Sequence, residues 1–216
     1  MNNGRETLRS QISMIIQKRI SEGVYKPGER IVETRLCKEL SVSQAPVREA
    51  VLELAMMGIL EERPFSGTFV RNVTPDEVSD IYNVRAFIEE YAAQRACEYG
   101  TEESFKEIEE TVKKMEACDN REDFTEIDRA FHESVLRASG SEALLRCWKS
   151  LHVTQWTYQS ILNTSKTPKQ LADEHRTILQ FIVAGQGHTA GALMHLHIHG
   201  FAEEITEYLK KTKEQK

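Results

Sequence analysis

The feature that most constrains the fold is a change of pattern close to residue 73. From Pro75 almost to the end of the chain, apolar residues recur at helical spacing, and no strand-like alternation interrupts them. Before that point the segments are short and are broken by Pro-Gly and Ser-Gly turns. The sequence therefore predicts a mainly α protein with two domains, a mixed domain over residues 1–73 and an all-helical domain over residues 74–216.

Two of the helices in the second domain begin at clear capping signals. Thr74, Pro75 and Glu77 form a capping box with proline at the first helical position, where its missing N–H costs nothing. Thr167 begins a second segment of the same kind. The periodicity predicts a six-helix antiparallel bundle, with helices over residues 75–99, 102–118, 122–139, 142–162, 168–184 and 189–210.

The first domain shows the order of elements found in a winged helix-turn-helix. Its helices are predicted over residues 5–22, 34–40 and 44–57, and its two strands over residues 59–63 and 68–71. Ser43 is placed to cap the third helix, whose inward face is predicted to comprise Val47, Val51, Leu52 and Leu54. In this motif the second helix of the pair reads base edges in the major groove, and the hairpin is the wing.

Charge favours the first domain as the part that meets a polyanion. The net charge is −6, but residues 1–73 hold 11 basic and 9 acidic residues, and the remainder hold 17 and 25. The first domain is therefore at +2 and the second at −8. A small helical domain that binds another protein remains the alternative on pattern alone.

Three segments of the first domain resemble the signature of the GntR family of bacterial regulators: "GVYKPGERI", "SVSQAPVREAVLEL" and "GILEERPFSGTFV". The resemblance implies that Arg48 contacts a phosphate or a base, and that Gly67 lets the wing approach the minor groove. It places three residues at the tip of the recognition helix, namely Ser43, Gln44 and Ala45. The family usually has arginine in place of Gln44 and often a second arginine near Thr34, for which the neighbouring Arg35 is a candidate substitute.

Four residues of the second domain suggest a metal site. Asp128 and His132 lie one helical turn apart, while His175 and His197 each lie between apolar residues at spacings of three and four. A buried carboxylate among imidazoles is costly unless something pairs with it, and a divalent metal would satisfy all four. The alternatives are histidines satisfied within the core and a simple Asp–His hydrogen bond.

The segments "DRAFHESVLRASG" and "EHRTILQFIVAG…MHLHI" resemble the FCD effector domain of the FadR subfamily of GntR regulators. The resemblance implies that Asp128, His132, His175 and His197 hold a metal such as zinc, nickel or manganese. Nitrogen and oxygen ligands do not by themselves select among these metals.

Arg85 falls on the inner stripe of the first bundle helix, in a segment "YNVRAFIEE" that also resembles the FCD domain. It either binds the carboxylate of an effector or forms a structural ion pair with Glu89 four residues later. Gln155 and Trp156 on the fourth bundle helix are further candidates for the lining of an effector pocket.

The leading hypothesis is a cytoplasmic, metabolite-responsive transcription regulator that acts as a repressor. It would bind a palindromic DNA operator as a homodimer, respond to a small carboxylate, and have no membrane segment or catalytic residue. The alternatives are a metalloenzyme fused to a DNA-binding module and a regulator whose metal is purely structural. No histidine has a glutamate three residues before it, which disfavours the di-metal carboxylate bundles.

Overall fold

A computed structural model describes residues 7–151, 161 and 164–214 of the chain. The chain divides into two compact units, Met1–Val73 and Thr74–Lys216. Among the described residues, no helix is both long and apolar enough to cross a bilayer.

The N-terminal unit is a three-helix fold with a small sheet. Its elements in chain order are α1 (Leu8–Ser21), β1 (Arg30–Ile31), α2 (Glu33–Leu40), α3 (Gln44–Met56), β2 (Leu60–Arg63) and β3 (Gly67–Val70). The three strands are antiparallel in the order β1-β3-β2. Strand β1 was not predicted, because two residues are too few to show alternation and their partner strand lies almost forty residues further along the chain.

Helices α2 and α3 are joined by a tight turn. Ser41 ends α2 with a left-handed φ of 55°, and α3 begins after Ser43. Helix α3 packs inward through Val47, Ala50, Val51 and Leu54. The prediction that Leu52 packs inward was wrong, since this side chain is 49% exposed. The inward face follows the i, i+3, i+4, i+7 spacing, and position 52 therefore faces outward with Arg48 one turn earlier.

The C-terminal unit is helical throughout its described part, which confirms the predicted mainly α fold class. Its helices are α4 (Pro75–Tyr99), α5 (Glu102–Glu116), α6 (Arg121–Ala138), α7 (Glu142–Ser150), α8 (Pro168–Val183) and α9 (Gly187–Glu214). The Thr74 hydroxyl accepts from the Glu77 N–H at 3.2 Å, and Thr167 forms a full capping box with Gln170. The fourth helix begins as expected at position 142, but the prediction that it continues to 162 was wrong, since it ends at Ser150 with Leu151 as its C-cap. Residues 152–160 lie outside the described residues.

Helices α4 and α9 pack along each other in the centre of this unit. Their close approach depends on Gly191, because a Cβ there would lie 2.8 Å from the Gln94 side chain and 3.0 Å from the Glu90 carbonyl oxygen. The tight α4–α9 packing brings His197 of α9 to the same interior as the buried Arg85 and Glu89 of α4.

Candidate DNA-binding surface and metal centre

The start of helix α3 is an exposed polar edge. Ser43, Gln44, Ala45 and Arg48 are all exposed, while Val47 beneath them is fully buried. Ser43 occupies the N-cap position, but its hydroxyl makes no capping hydrogen bond. The residues that the sequence assigns to base reading therefore share one accessible edge, anchored to the core by the opposite face of the helix.

Thr34 and Arg35 are exposed near the start of helix α2. The Arg35 guanidinium lies 2.7 Å from Glu39, which also receives a bond from Arg19 at 2.7 Å. These hydrogen bonds lower the pKa of the Glu39 carboxyl. Arg35 is thus held in a surface ion pair, which contact with a phosphate would have to replace.

Strands β2 and β3 form the wing, with Arg63 paired to Gly67 at its outer end. Gly67 has a φ of 105°, a conformation that residues with a side chain rarely adopt. A Cβ at this position would also lie 3.0 Å from the Arg30 guanidinium. Glycine is therefore required here by the backbone of the wing, independently of any approach to DNA.

In the C-terminal unit, three helices bring four ligand-type side chains together. Asp128 and His132 come from α6, His175 from α8 and His197 from α9, and one ligand atom of each lies within 4.8 Å of the others. All four side chains are buried. They are the residues that the sequence singled out, and they come from elements up to 69 residues apart in the chain.

Each imidazole is tied by its Nδ1 atom to an acceptor outside the cluster. His132 donates to Glu89 at 2.5 Å, His175 to the Leu171 carbonyl oxygen at 2.7 Å, and His197 to Glu174 at 2.9 Å. Because these partners only accept, the Nδ1 atoms carry the protons, and in a neutral ring the Nε2 lone pair then points inward. Metal-ligating histidines usually have this outer arrangement.

The inner atoms of the cluster lack partners among the described residues. Asp128 Oδ1, His175 Nε2 and His197 Nε2 are buried and form no hydrogen bond there. His175 Nε2 lies 3.1 Å from Asp128 Oδ1, so a lone pair faces a carboxylate oxygen. Two acceptors at this distance require a cation between them, either a second proton on the ring or a metal ion. The donor set and its orphaned atoms fit a divalent metal, which would satisfy all three at once.

The charges around the cluster favour a neutral His197 and an ionised Asp128, which are the protonation states that bind a metal. Burial lowers the pKa of His197 to about 4, so this ring is neutral. Burial would raise the pKa of Asp128, but the neighbouring His132 and His175 outweigh it and hold that pKa well below its usual value. His132 differs, because the Glu89 carboxylate outweighs burial and raises its pKa. A metal ion at His132 Nε2 would have to displace that proton.

Glu89 is the centre of a second buried network. Its carboxylate accepts from Arg85 at 2.7 Å, from Trp148 Nε1 at 2.6 Å and from His132. Burial would raise the Glu89 pKa, but the charges of His132 and Arg85 outweigh it and lower it to about 2. The ion pair considered for Arg85 is thus present. Arg85 nevertheless faces Asp128, His132 and His197 across a narrow gap that is too small to admit a water molecule.

Some residues around the candidate site could not be predicted or could not be checked. Gln155 and Trp156, the other predicted effector contacts, lie outside the described residues. Trp148 and Glu174 were not predicted, although Glu174 precedes a predicted ligand. Their roles depend on which helices become neighbours, and nothing in the local spacing of the chain carries that information.

A winged helix-turn-helix joined to a helical unit with a buried ligand cluster defines a DNA-binding regulator with an accessory domain. Comparison with known families agrees. Residues 8–70 match the gntR family of bacterial regulatory proteins, and residues 80–200 match the FCD domain. The chain belongs to the GntR family and carries an FCD domain, and it is a DNA-binding transcription regulator rather than an enzyme.

Individual relatives support the same class. The chain is 29% identical to a probable D-xylose utilization operon transcriptional repressor of Paenarthrobacter nicotinovorans, over 96% of this chain and 90% of that protein. It is 25% identical to the transcriptional repressor RspR of Escherichia coli, over 95% and 92%. The solved structure of E. coli McbR/YncC has the same fold, with a TM-score of 0.70 at 19% identity over 96% and 99% of the two chains.

Gln44 leads to a prediction about base preference. Glutamine pairs bidentately with adenine, whereas arginine prefers guanine, and a good pair is worth about 1–3 kcal/mol of discrimination. We expect sites selected from random DNA by this protein to show adenine or no preference at the base pair facing position 44. The variant Gln44→Arg should shift selection there to guanine. A guanine preference already present in the unmodified protein would contradict the prediction.

Proposed function

We propose that this regulator is a cytoplasmic repressor whose FCD domain binds one divalent metal and a small carboxylate effector. Asp128, His132, His175 and His197 would hold the metal, which is zinc, nickel or manganese. The effector would change the affinity of a homodimer for a palindromic operator. The observation that carries this proposal is that Asp128 Oδ1, His175 Nε2 and His197 Nε2 have no hydrogen-bond partner among the described residues. The three imidazoles of the cluster are each fixed from outside through Nδ1.

The effector would bind between Arg85 and the ligand cluster, where the present gap would have to widen to admit it. A metal held by four protein ligands can retain open coordination positions, and a carboxylate is a ligand suited to them. Arg85 is buried beside the cluster and supplies a positive charge, although Glu89 already engages its Nε atom. A carboxylate would therefore compete with or extend the Arg85–Glu89 pair, which links binding in this gap to helix α4.

The effector hypothesis is tested by operator binding in the presence of a panel of carboxylic acids. The protein is loaded with metal, and a duplex selected from random DNA serves as the operator. We expect at least one acid to change the affinity of the loaded protein but not that of the Arg85→Lys variant, because lysine lacks the bidentate fork. If metal removal lowers stability but leaves the response to the acids intact, the metal is purely structural. If no acid changes operator affinity, the sensing proposal fails.

An exposed apolar stripe on the C-terminal unit supports the homodimer. Val84, Phe87 and Tyr91 lie on successive turns of α4 and are 48%, 66% and 52% exposed. Contiguous exposed apolar side chains commonly mark a protein interface. A second copy of the chain is the occupant that paired reading of a palindrome requires.

The variant Phe87→Glu is expected to make the protein monomeric, because it places a charge in the centre of this stripe. Light scattering after size exclusion should then report one chain, and operator affinity should fall by about 100-fold as the second DNA-binding unit is lost. Val183→Glu is the matched control, since Val183 is 56% exposed at the end of α8. If the Phe87→Glu variant remains dimeric, this stripe is not part of the dimer interface.

A further inference from the structure

The tip of the wing has an unusual backbone conformation. Arg63, Pro64, Phe65 and Ser66 form a turn in which the Ser66 N–H donates to the Arg63 carbonyl oxygen at 3.0 Å. Phe65 is the third residue of this turn and has a φ of 60°. A turn with proline second and a positive φ third normally has glycine at the third position, because a Cβ is disfavoured there. Phenylalanine at this position is therefore unfavourable for the turn.

The Phe65 side chain gains nothing from packing to offset that conformation. It is 110% exposed, the highest value among the large apolar side chains of the described residues. The core of the N-terminal unit is formed by other residues on α1, α3 and the strands. A strained residue that contributes no burial indicates a role in binding rather than in folding.

Two arginines lie close to this tip. Arg63 begins the turn, stacks over the Phe69 ring at 4.2 Å and pairs with Glu61. Arg30 on β1 lies against Gly67, at the first position after the turn. Both arginines are exposed. An apolar ring with guanidinium groups beside it matches the chemistry of a DNA groove, in which phosphates flank the edges of stacked bases.

We propose that Phe65 is an apolar wedge that enters the minor groove of the operator and partly unstacks one base step. Apolar side chains in this position kink the duplex, and flexible pyrimidine–purine steps accept such a kink at the lowest cost. The proposal rests on the DNA-binding class of the protein and not on its metal or effector. A wing with glycine at this position would not kink the duplex, because it has no side chain to insert.

The test uses the full-length protein and a duplex selected from random DNA by the unmodified protein. Phe65→Gly and Phe65→Ala should each bind this duplex about tenfold more weakly, in the range measured for loss of one base–aromatic contact. Phe65→Gly should melt at the same or a higher temperature than the unmodified protein, because it relieves the positive φ without removing packing. Phe65→Leu should retain most of the affinity, since leucine also serves as a wedge.

Salt dependence separates the wedge from a phosphate contact. Phe65→Ala should leave the slope of log K against log salt unchanged, whereas Arg63→Ala should reduce it by about one if Arg63 neutralises a phosphate. The bend, followed by energy transfer between the duplex ends, should decrease in Phe65→Ala. The fluorescence of 2-aminopurine at the kinked step should fall as stacking is restored.

Val24→Ala is the control, because Val24 is 58% exposed in the loop after α1 and is assigned no contact with DNA. It should match the unmodified protein in every measurement. Affinities of Phe65→Gly and Phe65→Ala within about twofold of the unmodified protein would overturn the proposal. So would weaker binding with an unchanged bend and unchanged 2-aminopurine fluorescence, since Phe65 would then touch DNA without entering the base stack.

Discussion

Glu89→Ala is expected to destabilise the helical unit by about 3–5 kcal/mol, the cost of breaking a buried charge pair by removing one partner. Glu89 is 1% exposed and accepts from Arg85, Trp148 and His132. Alanine would remove the acceptor of all three donors and leave the buried Arg85 without this carboxylate. A loss of this size lowers the midpoint of thermal unfolding on the order of 10 °C for a chain of this length.

Glu90→Ala is the matched control for this effect. Glu90 is the next residue of α4, but its side chain is 30% exposed and accepts from His195 at 2.8 Å. Removal of such a partly exposed pair should cost less than about 1 kcal/mol. Glu89→Gln should lie between the two, because it keeps the shape and one acceptor but loses the charge. Equal unfolding free energies for Glu89→Ala and Glu90→Ala would show that the buried Glu89 network does not stabilise the helical unit.

Metal binding is expected to produce the second large effect. A ligand at one hundred times its dissociation constant stabilises the folded state by about 2.7 kcal/mol. Chelator-treated protein should therefore regain about this much stability when zinc, nickel or manganese is added in that excess. The His175→Ala variant should lose the gain, since His175 is fully buried and its Nε2 points at Asp128.

His188→Ala is the control for metal that binds exposed histidines. His188 is exposed at the start of α9 and is not part of the ligand cluster. Its removal should leave the metal-dependent stabilisation intact. If metal stabilises His175→Ala as strongly as the unmodified protein, the cluster is not the binding site, and its imidazoles must be satisfied by protons instead.

The helices were predicted well from local sequence signals, because capping residues and apolar periodicity mark where a helix begins and ends. Helix α4 runs over Pro75–Tyr99, as the capping residues and the apolar stripe indicate. Leu52 was misplaced because its apolar character was given more weight than the i, i+3, i+4, i+7 spacing of Val47, Ala50, Val51 and Leu54, which turns position 52 outward. Strand β1 was missed for a different reason, since it exists only through its pairing with β3.

The candidate metal site was likewise predicted only in part. Spacing along α6, α8 and α9 was enough to predict that Asp128, His175 and His197 face inward. Spacing did not reveal that Glu89 of α4 and Glu174 of α8 hold the outer nitrogens of His132 and His197, because those contacts arise between helices. The strain at Phe65 was equally hidden, since a positive φ is a property of the folded turn.

The metal content of the purified protein tests the central claim most directly. Mass spectrometry of the unmodified protein, dialysed against zinc and then against buffer, should find about one divalent ion per chain, as a single four-ligand site requires. The double variant His175→Ala, His197→Ala, treated in the same way, should contain almost none. An unmodified protein without stoichiometric metal, or a double variant with the same content, would contradict the account.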